Sequence, residues 1–221
     1  MNIVSVADIG IDAAERLLKK KAFDELTLSD RIRQSNTELF GEDLSPTALV
    51  HRIVQDVRYK GDEVLFHYTK LLDRIDLTPD NLMVSEEEFQ EAERSADPYV
   101  VASLKKAADN IFSYHEEQKP RSWMTYRAHG SILGQSVLPL SRVGIYVPGG
   151  TAAYPSSVLM NAIPALVAGV GEIIMAVPTK DGVINPHVLV AARFLGIRKI
   201  FKMGGAQAIA AMAYGTECVP R

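Results

Sequence analysis

The segment from Val143 to Thr216 constrains the fold most, because it repeats the order strand, turn and helix three times. Short apolar or β-branched runs mark the strands, at Val143–Val147, Glu172–Val177 and Lys199–Met203. Each run is followed by a helical stretch rich in alanine and aliphatic residues. Strands of this length that alternate with helices are typical of βαβ units. The segment therefore predicts an α/β fold with a doubly wound parallel sheet.

Double-glycine turns follow the first and third strands, at Gly149-Gly150 and Gly204-Gly205. Ligands of such sheets bind outside the carboxyl ends of the strands, where these turns are expected. Glycine lets a ligand approach the backbone, and a helix that begins there offers free N–H groups to a phosphate. Neither turn matches G-x-G-x-x-G, and the sequence has no P-loop. The glycines are equally compatible with tight turns that bind nothing.

The region upstream of the sheet predicts four helices, which begin at capping residues. The predicted N-terminal caps of these four helices are Ser45, Asp62, Ser85 and Asp97. Asn185 is the predicted cap of the helix after the second strand of the sheet. Ser85 and Glu88 have the spacing of a capping box. The helix after Asp97 is the longest and carries an apolar stripe. Strand signal appears only at Gly130–Val137, where Gly134 is predicted to form a bulge.

Three parts of the chain follow from this order. Residues 1–42 are predicted to be an N-terminal arm with a helix over Ile11–Lys20, ended by a solvated lysine run. Residues 43–142 are mainly helical, and residues 143–221 form the Rossmann-like part. A separate arm of this kind often packs on a neighbouring subunit.

Composition excludes several classes of protein. The formal net charge of −3 gives no reason to expect a nucleic-acid or membrane partner. The apolar stretch Val158–Val170 contains Asn161 and Pro164 and is too short to span a bilayer. The first residues lack the character of a signal peptide, and Cys218 is the single cysteine. We expect a cytoplasmic protein without an intrachain disulfide.

No pattern of metal-ligating or nucleophilic residues stands out. The five histidines form no pair with ligand spacing such as H-E-x-x-H, so no metal site is expected within the chain. Cys218 has no histidine at a catalytic spacing and is expected to be inert. The acidic run Glu86–Glu88 fits a helix start better than a catalytic pair.

Three long motifs resemble histidinol dehydrogenase, namely Arg142–Gly150, Ser157–Ala165 and Gly204–Glu217. The upstream runs Arg58–Glu63 and His115–Trp123 resemble the same family. The resemblance covers the chain from about residue 45 onward. Enzymes of that family continue well beyond the point that matches Arg221, so the resemblance is to their N-terminal half.

The family implies an aldehyde-dehydrogenase-like architecture that is incomplete in this chain. Residues 43–142 then belong to a discontinuous α/β domain that the C-terminal half completes. Residues 143–221 are then an NAD-binding domain truncated at its C-terminal end. On this basis the helices of residues 43–142 are expected to expose an apolar face, which favours self-association.

The resemblance also implies an activity. Histidinol dehydrogenases oxidise L-histidinol through histidinaldehyde to L-histidine, with NAD and a catalytic zinc, and form intertwined homodimers. Their zinc ligands and acid–base residues belong to the C-terminal half. No position of this sequence matches those motifs, so no catalytic or metal-binding residue is assigned here.

Cofactor contacts of the family do map onto this chain, at Tyr146 and Gln207. Tyr146 can stack on a nucleotide ring or place its hydroxyl on a ribose or phosphate, and Gln207 can bind ribose hydroxyls or a phosphate. Pro148 can stiffen the turn and pack on the cofactor. The alternatives are a tyrosine anchored at a strand end and a glutamine that caps its own helix.

Two interpretations remain open. The chain is the N-terminal half of a histidinol dehydrogenase, inactive alone and able to bind NAD weakly. Alternatively it is a non-catalytic nucleotide-binding or dimerisation module, or one half of a split enzyme. An unrelated binding protein of doubly wound fold is disfavoured by the long motifs alone.

Overall fold

The structure, a computed structural model, describes residues 4–19, 29–149, 153–179 and 182–221. The chain divides into two compact units, Met1–Arg52 and Ile53–Arg221. The boundary between them falls inside one helix, Pro46–Lys60. None of the helices in the described ranges is both long and apolar enough to cross a membrane.

The first unit is helical. It contains α1 (Val6–Ile9), α2 (Ile11–Leu18), α3 (Asp30–Phe40) and the start of α4 (Pro46–Lys60). The predicted helix at Ile11 is confirmed, although it ends two residues early at Leu18, and Lys20-Lys21 lie outside the described residues. Within this unit Arg33 pairs with Asp43 beyond the end of α3.

The second unit begins within α4 and continues with α5 (Asp62–Asp73), α6 (Glu86–Ser95) and α7 (Pro98–Gln118), which complete the four predicted helices. The capping box is confirmed, because the Ser85 hydroxyl accepts from the Glu88 N–H at 3.2 Å and the Glu88 carboxylate accepts from the Ser85 N–H at 2.8 Å. Asp97 caps α7 by accepting from the Tyr99 N–H at 2.8 Å.

The prediction that Asp62 caps α5 is wrong. Gly61 occupies the cap position, and Asp62 is the first helical residue. The Asp62 carboxylate is buried and accepts from the backbone N–H of Cys218 at 2.9 Å. The Asp62 side chain therefore binds the backbone near the C-terminus instead of the first turn of its own helix, and this hydrogen bond connects α5 to the C-terminal segment.

An antiparallel hairpin follows α7. It consists of β1 (Trp123–Tyr126), a short 3₁₀ turn (Ala128–Gly130) and β2 (Ile132–Gln135). The predicted bulge at Gly134 is wrong, because Gly134 pairs in regular register with Met124. A Cβ on Gly134 would lie 2.5 Å from the Trp123 carbonyl oxygen, so close strand packing is the reason for glycine there.

The parallel sheet has the order β3-β4-β5, formed by β3 (Arg142–Tyr146), β4 (Glu172–Ala176) and β5 (Lys199–Phe201). Helices α8 (Pro155–Ala168) and α9 (Pro186–Phe194) make the crossovers, and α10 (Gly205–Tyr214) follows β5. The Asn185 side chain caps α9 by accepting from the His187 N–H at 3.0 Å. The predicted α/β order is confirmed.

Helices cover both faces of this sheet. Ile145, Met175 and Ile200 belong to the buried core that also includes residues of α8 and α9. On the other face, Gly144 lies against Met212 of α10, and α10 packs against α5. This burial on two faces explains the continuous apolar runs of the strands and confirms the doubly wound prediction.

A short segment between α5 and α6 extends the sheet beyond β5. The Val84 N–H donates to the Ile200 carbonyl at 2.8 Å, and the Lys202 N–H donates to the Leu82 carbonyl at 2.8 Å. Leu82–Val84 therefore runs antiparallel along β5, with Met83 opposite Phe201. The helical region thus contributes directly to the sheet.

The apolar stripe of α7 is covered, so α7 does not supply the exposed apolar face that was expected of the helices in residues 43–142. Leu104 and Ala108 are buried in the core, and α7 packs closely on α8. Val50, Tyr59 and Leu72 are exposed on α4 and α5. Further exposed apolar side chains lie on and beside the hairpin: Trp123, Met124, Tyr126, Ile132, Leu133, Leu138 and Leu140.

Candidate functional site

Tyr146 meets the second double-glycine turn at the carboxyl edge of the sheet. It is the last residue of β3, its side chain is half-buried, and its hydroxyl accepts a hydrogen bond from the Gly205 N–H at 3.3 Å. Gly205 is the first residue of α10. The structure therefore brings together the carboxyl end of one strand and the helix that follows another.

Pro178, just after β4, lies between the two glycine turns. A Cβ on Gly149 would lie 2.4 Å from the Pro178 carbonyl oxygen, and one on Gly204 would lie 2.6 Å from the Pro178 Cβ. Real Cβ atoms do not approach other heavy atoms this closely, so only glycine permits the packing. The three chain segments that leave the sheet are thereby held against one another. Gly150 lies outside the described residues.

Gln207 lies in the first turn of α10 and is completely buried. Its Nε2 donates to Oδ2 of Asp73 at 3.3 Å. Its Oε1 has no hydrogen-bond partner among the described residues. A Cβ on Gly205 would lie only 2.5 Å from that oxygen, so the amide carbonyl lies directly beneath the glycine turn.

Asp73 was not identified from the sequence. It is the last residue of α5, and partial burial raises the pKa of its carboxyl group above the usual value, because the charged form loses hydration. It is 134 residues away from Gln207 along the chain, and no local pattern signals such a contact.

Thr179 is a second residue that the sequence reasoning missed. It follows Pro178 and is buried, and its Oγ1 lacks a hydrogen-bond partner within the described part of the chain. Buried polar atoms are nearly always paired, so each unpaired one calls for an explanation. Two of them, Gln207 Oε1 and Thr179 Oγ1, belong to residues at the carboxyl edge, where a polar ligand would be expected.

Pro148 stands between Tyr146 and Gly149 and is exposed to solvent. It is thus available for contact with a ligand at this edge. Together Tyr146, Pro148 and Gln207 line up with the ends of β3 and β5, so the sequence-predicted residues belong to one edge of the sheet.

Metal chemistry finds no support in the described ranges, which contain no group of three or more His, Cys, Asp or Glu residues placed to hold an ion. Cys218 is half-buried, and the hydrogen bond with the Asp62 carboxylate, aided by burial, raises the pKa of its thiol to about 11. The thiol is therefore protonated at neutral pH and a poor nucleophile.

A groove of about 570 Å³ lies between α7 and α9, lined mainly by Pro98, Val101, Val190, Arg193 and Phe194. None of the residues of the carboxyl edge named above lines it. The groove therefore serves as a control site in experiments that locate ligand binding at the carboxyl edge of the sheet.

Comparison with known proteins gives consistent matches. The family model for histidinol dehydrogenase matches residues 41–221. The histidinol dehydrogenase of Syntrophotalea carbinolica is 54% identical over 172 residues, which is 78% of this chain and 40% of that protein. The histidinol dehydrogenase of Bacillus subtilis is 47% identical over 210 residues, which is 95% of this chain and 45% of that protein.

A solved structure is similar over almost the whole chain. The crystal structure of histidinol dehydrogenase from Elizabethkingia anophelis superposes with a TM-score of 0.77 at 30% identity, covering 96% of this chain and 44% of that one. This chain therefore spans less than half the length of the relatives that it matches.

Proposed function

The chain belongs to the histidinol dehydrogenase family, and we propose that it supplies the N-terminal, NAD-binding half of an enzyme that oxidises L-histidinol through histidinaldehyde to L-histidine. The observation that carries the proposal is the meeting of Tyr146 with the Gly204-Gly205 turn at the carboxyl edge. Both belong to the motifs that resemble the family.

The residues of the edge suit a dinucleotide. The half-buried Tyr146 offers an aromatic ring and a hydroxyl, exposed Pro148 offers an apolar surface, and Gln207 offers an unpaired carbonyl oxygen. The exposed Gly205 begins α10, and the start of a helix favours a phosphate through its backbone N–H groups and its dipole. NAD, when bound, accepts the hydride that leaves the substrate. The chain's own part is to bind and orient that cofactor.

Zinc does not fit the described residues, because they contain no suitable group of ligands. In this proposal the zinc ligands and the acid–base residues come from protein outside this chain. No step of the reaction is assigned to Cys218 or to the histidines. The 221-residue chain by itself is then inactive.

The domain organisation and assembly belong to the same proposal. Residues 1–42 act as an arm that packs on a second copy, residues 43–142 are one part of a discontinuous α/β domain, and residues 143–221 form the NAD-binding domain. The active protein is a cytoplasmic homodimer. The exposed apolar hairpin supports association, because such a surface is more stable when covered.

A second function is supported by the compactness of residues 53–221. This unit is compact and buries apolar side chains on both faces of its sheet, as an independently folding module would. The chain then acts as a nucleotide-binding or dimerisation module, or as one half of a split enzyme whose other chain carries the zinc ligands.

The test measures NAD binding and histidinol-dependent NADH formation by the purified chain with added zinc. We expect NAD binding without turnover. Addition of a separately produced C-terminal half of a relative distinguishes a catalytic from a non-catalytic function. Restored turnover supports an enzyme half, including one half of a split enzyme, and its absence favours the non-catalytic module. Turnover by the chain alone, at its verified mass, would contradict the proposal, and so would failure to bind NAD.

A further inference from the structure

We propose that Asp73 is a positioning residue of the cofactor site, which holds the amide nitrogen of Gln207 and so leaves the amide carbonyl to accept a hydrogen bond from a hydroxyl of the cofactor. The inference rests on the NAD-binding role proposed above and deepens it. It distinguishes between the two groups of a dinucleotide that Gln207 can bind, a ribose hydroxyl and a phosphate.

The orientation of the amide follows from what each group can donate. An ionised carboxylate only accepts hydrogen bonds, whereas a glutamine side chain donates from Nε2 and accepts at Oε1. Nε2 lies 3.3 Å from Oδ2 of Asp73. The reversed amide would place two acceptor oxygens against each other. Gln207 is fully buried, so water cannot relieve that conflict.

The fixed orientation leaves Oε1 as the atom available to a ligand. Oε1 is buried and has no partner in the described part of the chain. A group that satisfies it must be a hydrogen-bond donor. The ribose hydroxyls of a dinucleotide are donors, whereas its phosphates at neutral pH carry only acceptor oxygens. Of the two groups that Gln207 was expected to bind, the geometry therefore favours a ribose hydroxyl over a phosphate.

Gly205 controls access to this oxygen. It is exposed, has a φ of +64° and carries no side chain, although a Cβ at this position would lie 2.5 Å from Oε1. Its N–H is held by the Tyr146 hydroxyl at 3.3 Å, which is long for a hydrogen bond. A ligand that engages the Tyr146 hydroxyl therefore competes with this hydrogen bond, beside the Gln207 carbonyl.

A purely structural role for the pair makes a different prediction. In that case the bond between Asp73 and Gln207 only ties α5 to α10, which pack together in any case. Any replacement that preserves the hydrogen bond between positions 73 and 207 would then preserve both thermal stability and NAD affinity. The ligand would not contact the free oxygen of Gln207. The two roles are separated by Gln207→Ala, which retains NAD affinity if the pair is only a structural tie and loses NAD affinity if Oε1 binds the cofactor.

The experiment compares Gln207→Glu with the double variant Asp73→Asn/Gln207→Glu, using NAD titration and thermal unfolding of the 221-residue chain. In the double variant the new amide at position 73 donates to one oxygen of the new carboxylate at position 207, and the other oxygen remains an acceptor. We expect NAD affinity within about threefold of wild type there, and a loss of roughly tenfold or more for Gln207→Glu alone. Asp109→Asn/Gln118→Glu on exposed positions of α7 is the matched control.

Two results would overturn the inference. One is loss of NAD binding by the double variant with unchanged thermal unfolding, which would mean that the ligand needs a donor at position 207. The other is unchanged affinity in Gln207→Ala, which would remove Gln207 from the site.

A second measurement does not depend on the ligand. In the wild-type chain without NAD, NMR is expected to show scalar coupling from the Gln207 side-chain N–H to the Asp73 carboxyl carbon. Its absence would refute the positioning role. If the chain shows the coupling but binds no NAD, the proposed function is refuted, whereas the hydrogen bond from Gln207 to Asp73 is confirmed.

Discussion

Replacing Gly204 with alanine tests the close packing that builds the carboxyl edge. The backbone at Gly204 is extended, with φ −131° and ψ −173°, so alanine adopts it without strain. The new methyl group, however, would lie 2.6 Å from the Pro178 Cβ and 3.3 Å from its Cα. Carbon atoms in contact normally lie about 3.5–4.0 Å apart, so the turn must shift by roughly 1 Å.

The expected loss follows from that overlap. Forcing an extra methyl group into a packed site costs about 1–3 kcal/mol. For a chain of 221 residues this lowers the midpoint of thermal unfolding by roughly 2–12 °C. The shift also displaces the start of α10 and with it Gln207, and we expect NAD affinity to fall by about tenfold or more, equivalent to about 1.4 kcal/mol.

Gly196→Ala is the matched control for this experiment. Gly196 has a φ of +81° and open space around it, so alanine there costs about 1–2 kcal/mol through backbone strain alone. It lies between α9 and β5, at the amino end of that strand. We expect a similar loss of stability with unchanged NAD affinity. Gly204→Ala with wild-type stability and affinity would refute the packing argument.

Two further predictions concern the ionisable groups. Because the pKa of Cys218 is raised to about 11, its thiol should react slowly with a disulfide reagent at pH 8, and Asp62→Asn should speed that reaction; equal rates would contradict the role of Asp62. The pKa of Glu172 lies below its usual 4.5, because Lys199 and Arg142 bind its carboxylate. Its stabilising contribution is therefore present above 4.5 and is lost as the pH falls through the lowered pKa. Glu172→Gln should unfold at a lower urea concentration than wild type at pH 7, and this difference should vanish at low pH. A difference that persists at low pH would show that the ion pairs of Glu172 are not its cause.

The sequence predicts most of the sheet correctly because the signals are local. The apolar runs of β3, β4 and β5 and the caps at Ser85, Asp97 and Asn185 depend on residues only a few positions apart. Local sequence signals do not predict the extended segment Leu82–Val84. It is short, and its hydrogen bonds exist only because β5 lies beside it.

The two wrong predictions share one cause. Asp62 and Gly134 have the residue types of a helix cap and a strand bulge, but tertiary contacts decide their roles. Asp62 accepts from the Cys218 N–H, and Gly134 makes room for the Trp123 carbonyl. Residue type alone does not reveal a partner that the fold supplies.

The candidate site divides in the same way. The family motifs assign Tyr146 and Gln207, and the position of Pro148 in the turn adds a third candidate; the structure places all three at the ends of β3 and β5. Their cofactor roles remain predictions. Asp73 and Thr179 carried no signal, because their importance depends on burial and on distant partners.

The most direct test of the account is an NMR titration of the chain with NAD, read at the backbone amides. We expect saturable shifts at Gly149, Gly204 and Gly205, where the carboxyl edge meets Tyr146, and none at Val101 or Val190 in the groove between α7 and α9. Shifts confined to that groove, or no saturable shifts at all, would contradict the central claim that this edge of the sheet binds NAD.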